Sequence, residues 1–402
     1  MRKNNQYMKL PRKTSLSEQV DLYAGRKYDY YNQWMFDEPL LISKAEDEDI
    51  QALQKILYKF IIFFVQNYDD WSHLMPLNPE SRRVFDSFKD RPYTSGSYRV
   101  DTVFDQNRQQ KIIETTCRFA LNGFFIASNS AYFSRAYQAT FPGCPPAIDR
   151  HPLFMEYLEK LIGDHKRIIV LKNADSRNSS KFFIPIFKDM GFDVVVILPE
   201  EVDRRKDELK SGFVVSELSI EELESLSDET LAVLSTSDMI NDLRTVILVH
   251  DKRFYSVLGS AEIRETVLSS EEIALLDVFY VPTYSNGEAP EVWEEARKNK
   301  ESWILKHRSL GKSEEVYAGA VTSEEEWQLL FVRADLKEFV LQRWIEQMKF
   351  DGTVNGEAFS DFVTGTLLFF DDNYFGPGFF RTSSFPVTNV TDDRKMFCVT
   401  LA

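Results

Sequence analysis

Cysteine is scarce in this sequence: Cys117, Cys144 and Cys398 stand alone. Without a Cys-x-x-Cys, neither a disulfide framework nor a thiolate zinc site is expected, and a reduced, cytoplasmic compartment fits best. Histidine is nearly as rare. His73, His151, His165, His250 and His307 show no HxH or HExxH spacing, so each is expected in a surface or structural role. Long apolar runs are missing too. The most apolar, Phe60 to Val65, has six residues, against the ~20 that a membrane span needs. Met1 to Leu10 carries Arg2 and Lys3 with no apolar core behind them, so no signal peptide and no membrane partner is expected. Basic charge is in deficit: 48 Lys and Arg face 63 Asp and Glu, a net charge of -15. With no Lys/Arg cluster to track a phosphate backbone, nucleic acid is not an expected partner. Acidity favours solubility, and it leaves room for an anionic ligand in a local basic pocket. There is no repeat of 20 to 50 residues.

What is present is ample apolar material, 43% hydrophobic and 14% aromatic over 402 residues, enough for two or three packed units. Residues 1–45 read as short helices or irregular cover. From Asp47, the positions Ile50, Leu53, Leu57, Phe60, Ile61 and Phe64 follow helical spacing. Asn122-Gly123 breaks the next pattern, and Phe125 to Phe141 reads as a helix ended by Pro142-Gly143. Pro145-Pro146 and His151-Pro152 mark the expected boundary of a second unit. There Arg167 to Leu171 and Phe192 to Leu198 read as strands around a helix from Ser179 to Met190, a βαβ unit with Gly191 closing the helix. The turn after the first strand, Lys172 to Ser176, has no glycine, which argues against a dinucleotide fingerprint. The charged stretch from Glu200 to Glu229 is expected as solvated helix and loop. Thr245 to Val249 reads as a strand delivering His250, Asp251 and Lys252. Further strands are expected at Trp303 to Lys306 and Glu338 to Ile345, with helices at Glu288 to Ser302 and Glu324 to Phe331. A β-rich tail from Phe362 turns at Gly376-Pro377-Gly378.

Two β-branched runs, Tyr98 to Phe104 and Lys111 to Thr116, flank the polar insert Asp105 to Gln110 and read as a hairpin. A turn centred on Asn107-Arg108 sets Asp101 opposite Glu114 and Arg99 opposite Thr116, all four on one face. Facing carboxylates at ~5 Å repel by roughly 1 to 3 kcal/mol, so the pair is either a solvated face or a platform for a cation. Lys252 and Lys306, both at expected strand ends, are either ordinary surface lysines or phosphate ligands. The loop Ser309 to Ser313 has one glycine and no Walker pattern. Gln342 to Ile345 could hold an adenine through backbone groups between apolar walls, as could any strand running from edge to core.

In this order, the segments resemble the circularly permuted ATP-grasp ligases, the group that includes glutathionylspermidine synthetase. The residues concerned are Arg99-Val100-Asp101, Glu114-Thr115-Thr116, Asp251-Lys252, Ile304-Leu305-Lys306-His307, Gly311-Lys312 and Leu341-Gln342, over roughly residues 95–402. The resemblance implies an α+β ATP-grasp fold with an inserted small α/β parallel-sheet domain. The implied organisation is cover at 1–45, a lobe with the metal hairpin at 46–150, the insert at 151–245, and a nucleotide-binding lobe with its tail at 246–402. It also implies Mg2+ on Asp101, Glu114 and Thr116, and phosphoryl stabilisation by Arg99. ATP would be held by Lys252, Lys306 and Lys312, with Gln342, Arg343, Trp344 and Ile345 around the base and Arg381 on the substrate side. The implied activity joins a small-molecule or peptide carboxylate to an amine through an acylphosphate. A nucleotide-binding scaffold without catalysis and a small-molecule kinase are the alternatives. Three departures stand out: Thr116 replaces the usual asparagine, His307 replaces a proline, and Glu314 and Glu315 lie in the phosphate loop.

Overall fold

Ser43 caps the long helix Lys44–Gln66, and its side chain and that of Glu46 satisfy each other's backbone N–H groups. The apolar stripe expected from Ile50 to Phe64 is buried along this helix. The computed structural model describes residues 15–173, 180–311, 313–388 and 394–402. The helix packs beside a seven-stranded antiparallel sheet whose hub is the strand Glu357–Phe370. That hub pairs with Ser97–Phe104, which in turn pairs with Gln110–Thr116, so the expected hairpin lies within the largest sheet. A four-stranded antiparallel sheet runs in the order Val316–Ala318, Trp303–His307, Phe339–Arg343, Thr283–Ser285. A third sheet is parallel, in the order Asp193–Ile197, Arg167–Leu171, Phe213–Ser216, Met239–Ile240. A two-stranded parallel pair joins Leu40–Ile42 to Cys398–Thr400. The class is therefore α+β, with a small parallel sheet following the antiparallel hairpin in the chain.

Several expectations from sequence are met within a residue or two. The strand Arg167–Leu171, the helix Ser180–Asp189 and the strand Asp193–Ile197 form the βαβ unit, and Gly191 takes the left-handed conformation at the helix end. Others are corrected. The segment 15–45 holds one 17-residue helix, Leu16–Asn32, rather than short pieces. Asn122-Gly123 lies inside the helix Ala120–Thr140. A Cβ on Gly123 would sit 2.5 Å from Leu368 Cδ1, so the glycine lets the helix approach the sheet closely and does not break it. The charged stretch after Glu200 conceals the strand Phe213–Ser216, inserted beside Arg167–Leu171. Thr245 to Val249 belongs largely to the helix Leu243–Leu248, capped by Asp242, and all six helical residues are buried. A short apolar run buried on every side carries no period that separates helix from strand. Gly376 and Pro377 close the strand Asn373–Pro377, and the chain reverses at Asp371-Asp372 instead. Pro152 sits in the first turn of the helix His151–Ile162, where proline is tolerated, a placement that neither sets nor removes a unit boundary there. Among the described residues no helix is long and apolar enough to cross a membrane.

Candidate functional site

The hairpin turn is built by Asp105, whose carboxylate accepts from the Asn107 and Gln109 backbone N–H groups at 2.8 and 2.9 Å. Next to the turn, Phe104 pairs with Gln110 and Thr102 with Ile112. Continued unchanged, that ladder would set Asp101 opposite Ile113 and turn Glu114 to the other face. A bulge at Ile113 adds one residue, so Asp101 faces Glu114 and Arg99 faces Thr116. All four therefore share a face, and that face is turned inward: Asp101 is 2% exposed. A solvated hairpin face is excluded.

Lys306 enters from Trp303–His307 and is buried. Its Nζ donates to Gln342 Oε1 at 2.8 Å and to the Ile113 carbonyl at 3.4 Å, so the bulge residue also touches the lysine. Lys252 arrives from the turn after the helix Leu243–Leu248, not from a strand end. Its Nζ donates to the Leu310 carbonyl at 2.6 Å and lies 3.6 Å from Glu114. Beside it Asp251, fully buried, takes ion pairs from Arg253 at 2.8 Å and Arg308 at 2.6 Å. This clamp ties the 308–310 segment to Lys252, whose own N–H donates to the Arg308 carbonyl at 2.9 Å.

Asp101 is heavily engaged: Thr366 Oγ1 donates to one oxygen at 3.0 Å and Arg381 to the other at 2.9 Å. Arg99 Nε lies 3.7 Å from Asp101 and is buried without a hydrogen-bond partner. On the opposite face of the hairpin Thr115 Oγ1 meets the Tyr255 hydroxyl at 2.9 Å. A cleft opens beside these groups, lined by Glu114, Lys306, Gln342, Arg343, Trp344, Ile345 and Arg381 among the expected residues. Val103, Ile113, Ile304, Val316 and Val387 supply apolar walls. Arg343 also stacks over the Trp303 ring, 4.0 Å from its centroid. Lys312 lies outside the described residues. Thr116 meets the expected register, and no side-chain contact places it with the carboxylates.

The electrostatics are lopsided. Four cations, Arg99, Lys252, Lys306 and Arg381, gather around two carboxylates, Asp101 and Glu114. Burial would raise the Glu114 pKa, but Lys252, Lys306 and Arg381 reverse that and hold it below the usual carboxylate range. Burial, with Lys252 adding to it, brings Lys306 down to about 8 against the pull of Glu114 and Asp101. His250, pushed to about 3 by burial, Arg118 and Lys252, stays neutral. An acidic protein thus carries a buried local excess of positive charge. Among the described residues no three His, Cys, Asp or Glu side chains are gathered as a metal cage.

Sequence reasoning missed the Asp251 clamp, although Asp251-Lys252 was part of the motif order, and it missed Gln347, which lines the same cleft. A glutamine four residues beyond the end of the strand Phe339–Arg343 carries no signal of its own.

A family model for the AnkG N-terminal domain matches residues 52–248, just under half of the chain. The match spans the hairpin with Asp101 and Glu114 and the parallel sheet, and it ends before Lys252, Lys306, Gln342 and Arg381. No curated protein matches the chain.

Proposed function

We propose that this chain is an ATP-grasp carbon–nitrogen ligase, joining a small-molecule or peptide carboxylate to an amine with release of ADP and phosphate. The observation that carries the proposal is the buried charge excess beside an apolar cleft: four cations against two carboxylates. At ~4 Å and an effective dielectric near 20, each added anion–cation contact is worth on the order of 4 kcal/mol before desolvation, so the site calls for a polyanion. The adjoining apolar walls suit a base.

A carboxylate resists attack because its charge repels nucleophiles. Transfer of the γ-phosphoryl group to a carboxylate oxygen forms an acylphosphate and releases ADP. The amine then attacks the carbonyl carbon, loses a proton and expels phosphate. Lys252 and Lys306 hold phosphate oxygens, and Arg99 and Arg381 face the charge that develops during transfer. Glu114, ionised and lining the cleft, suits a Mg2+ ligand. Asp101 suits it less well, because Thr366 and Arg381 already occupy its two oxygens. Mg2+ bound there would neutralise phosphate charge.

The occupied Asp101 and the threonine at 116 favour a second reading, a nucleotide-binding scaffold without turnover. Incubation with ATP, Mg2+ and a pool of amino acids separates the two. The ligase yields ADP and phosphate in step with a new amide mass, whereas the scaffold binds nucleotide and forms neither. A product heavier by one phosphoryl group would instead indicate a kinase.

A further inference from the structure

The cleft holds a polar atom that its own fold does not satisfy. Gln342, the glutamine expected beside the base, has both ends of its amide committed: Oε1 accepts from Lys306 at 2.8 Å and Nε2 donates to Thr283 Oγ1 at 2.9 Å. It positions Lys306, and its two amide N–H groups are spent inside the fold, on Thr283 and on the Ile113 carbonyl at 3.4 Å. Gln347 lies beyond the strand Phe339–Arg343 and also lines the cleft. Its Nε2 donates to the Pro386 backbone carbonyl at 3.0 Å, and its backbone carbonyl accepts from Gln106 Nε2 at 3.0 Å. A bridge to Asp105, at the hairpin turn, holds its backbone. The amide orientation is therefore chemically fixed, because turning it over would set two carbonyl oxygens against each other. That leaves Gln347 Oε1 as an acceptor, on a residue 7% exposed, with no partner. A buried acceptor without a donor is costly, and a ligand that brings the donor removes the cost.

We propose that Gln347 selects the base of the nucleotide, accepting a hydrogen bond from an exocyclic amino group and so favouring 6-aminopurines over 6-oxopurines. The inference rests on the nucleotide reading of this cleft. With the phosphates at Lys252 and Lys306, the base lies between Val103, Ile345 and Val387, and its 6-position meets Gln347. A 6-amino group donates to Oε1. A 6-oxo group in the same pose sets acceptor against acceptor and leaves Gln347 unpaired.

The test is isothermal titration of ADP and of inosine diphosphate, each with Mg2+, into the full chain and into Gln347→Leu. The wild-type chain should bind ADP about 10- to 100-fold more tightly than inosine diphosphate. Gln347→Leu should bring the two within about threefold, chiefly by weakening ADP. Equal wild-type affinities would overturn the assignment while leaving the nucleotide site standing. A preference that persists in folded Gln347→Leu overturns it as well, by placing base reading on another group. Binding of neither nucleotide overturns both this inference and the nucleotide reading. The wild-type comparison decides the matter even if the leucine variant fails to fold.

Discussion

Asp101 faces Glu114 across the hairpin because Ile113 is one residue more than the ladder needs. The bulge turns Glu114 onto the inward face, and the carbonyl it displaces at Ile113 lies 3.4 Å from Lys306 Nζ. One backbone irregularity thus sets both the carboxylate pair and its contact with the opposing sheet.

Glu114 is the anion between Lys252 and Lys306, so Glu114→Gln separates binding from turnover. With that charge removed, the lysines attract phosphates at least as strongly. ADP formation, which needs the carboxylate, should fall by about 100-fold or more. Steady-state ADP release beside nucleotide titration checks this, and unchanged turnover would exclude a role for the carboxylate.

Lys306 predicts a proton linkage. Its folded pKa of about 8 lies below the ordinary value of 10.5, so the unfolded chain holds more protons between those values. This group therefore opposes folding below pH 8, and its penalty is relieved as pH rises from about 8 toward 10.5. Phosphates beside Lys306 restore its charge. Nucleotide binding near pH 8.5 should then take up a fraction of a proton, and close to none at pH 6.5. Titration calorimetry in buffers of different ionisation enthalpy measures this. Proton release at the higher pH would contradict it.

The hairpin register was legible because a turn placed between Asn107 and Arg108 gives the same pairing as the true turn plus the bulge. The bulge itself was not legible: no residue type announces where a strand gains an extra member. The βαβ unit was legible from apolar runs of strand length separated by a helix-length interval. Phe213–Ser216 was hidden because four residues between charged flanks leave too short a pattern. At the site, Lys306 could be read from an apolar strand ending in a cation. The strand character expected before Lys252 proved to be a buried helix, and yet the lysine reaches Glu114. Gln347 was invisible because its role comes from Pro386 and Gln106, both distant in sequence.

Asp251→Asn removes a fully buried carboxylate from between Arg253 and Arg308. Arg253 then loses its counter-charge and Arg308 keeps only Glu338, at 2.6 Å, and breaking a buried pair in this way costs about 3–5 kcal/mol. Denaturant unfolding should show a lowered midpoint, and a shift within experimental error would refute the clamp.

Gly319→Ala tests the packing at the start of the strand that carries Lys306, where the Gly319 N–H donates to the Trp303 carbonyl at 2.9 Å. A Cβ there would lie 1.9 Å from the Lys300 backbone carbonyl oxygen, which cannot rotate away as a side chain could. Overpacking of this kind costs about 1–3 kcal/mol. The melting temperature should fall, whereas Gly311→Ala, with open space around its Cβ, should leave it nearly unchanged.

The most direct test of the central claim is the thermal shift given by millimolar ATP with Mg2+ in the wild-type chain and in Lys306→Ala. The account predicts a rise of several degrees in the wild-type protein and none in the variant. No shift in the wild-type chain, or an equal shift in Lys306→Ala, would contradict it.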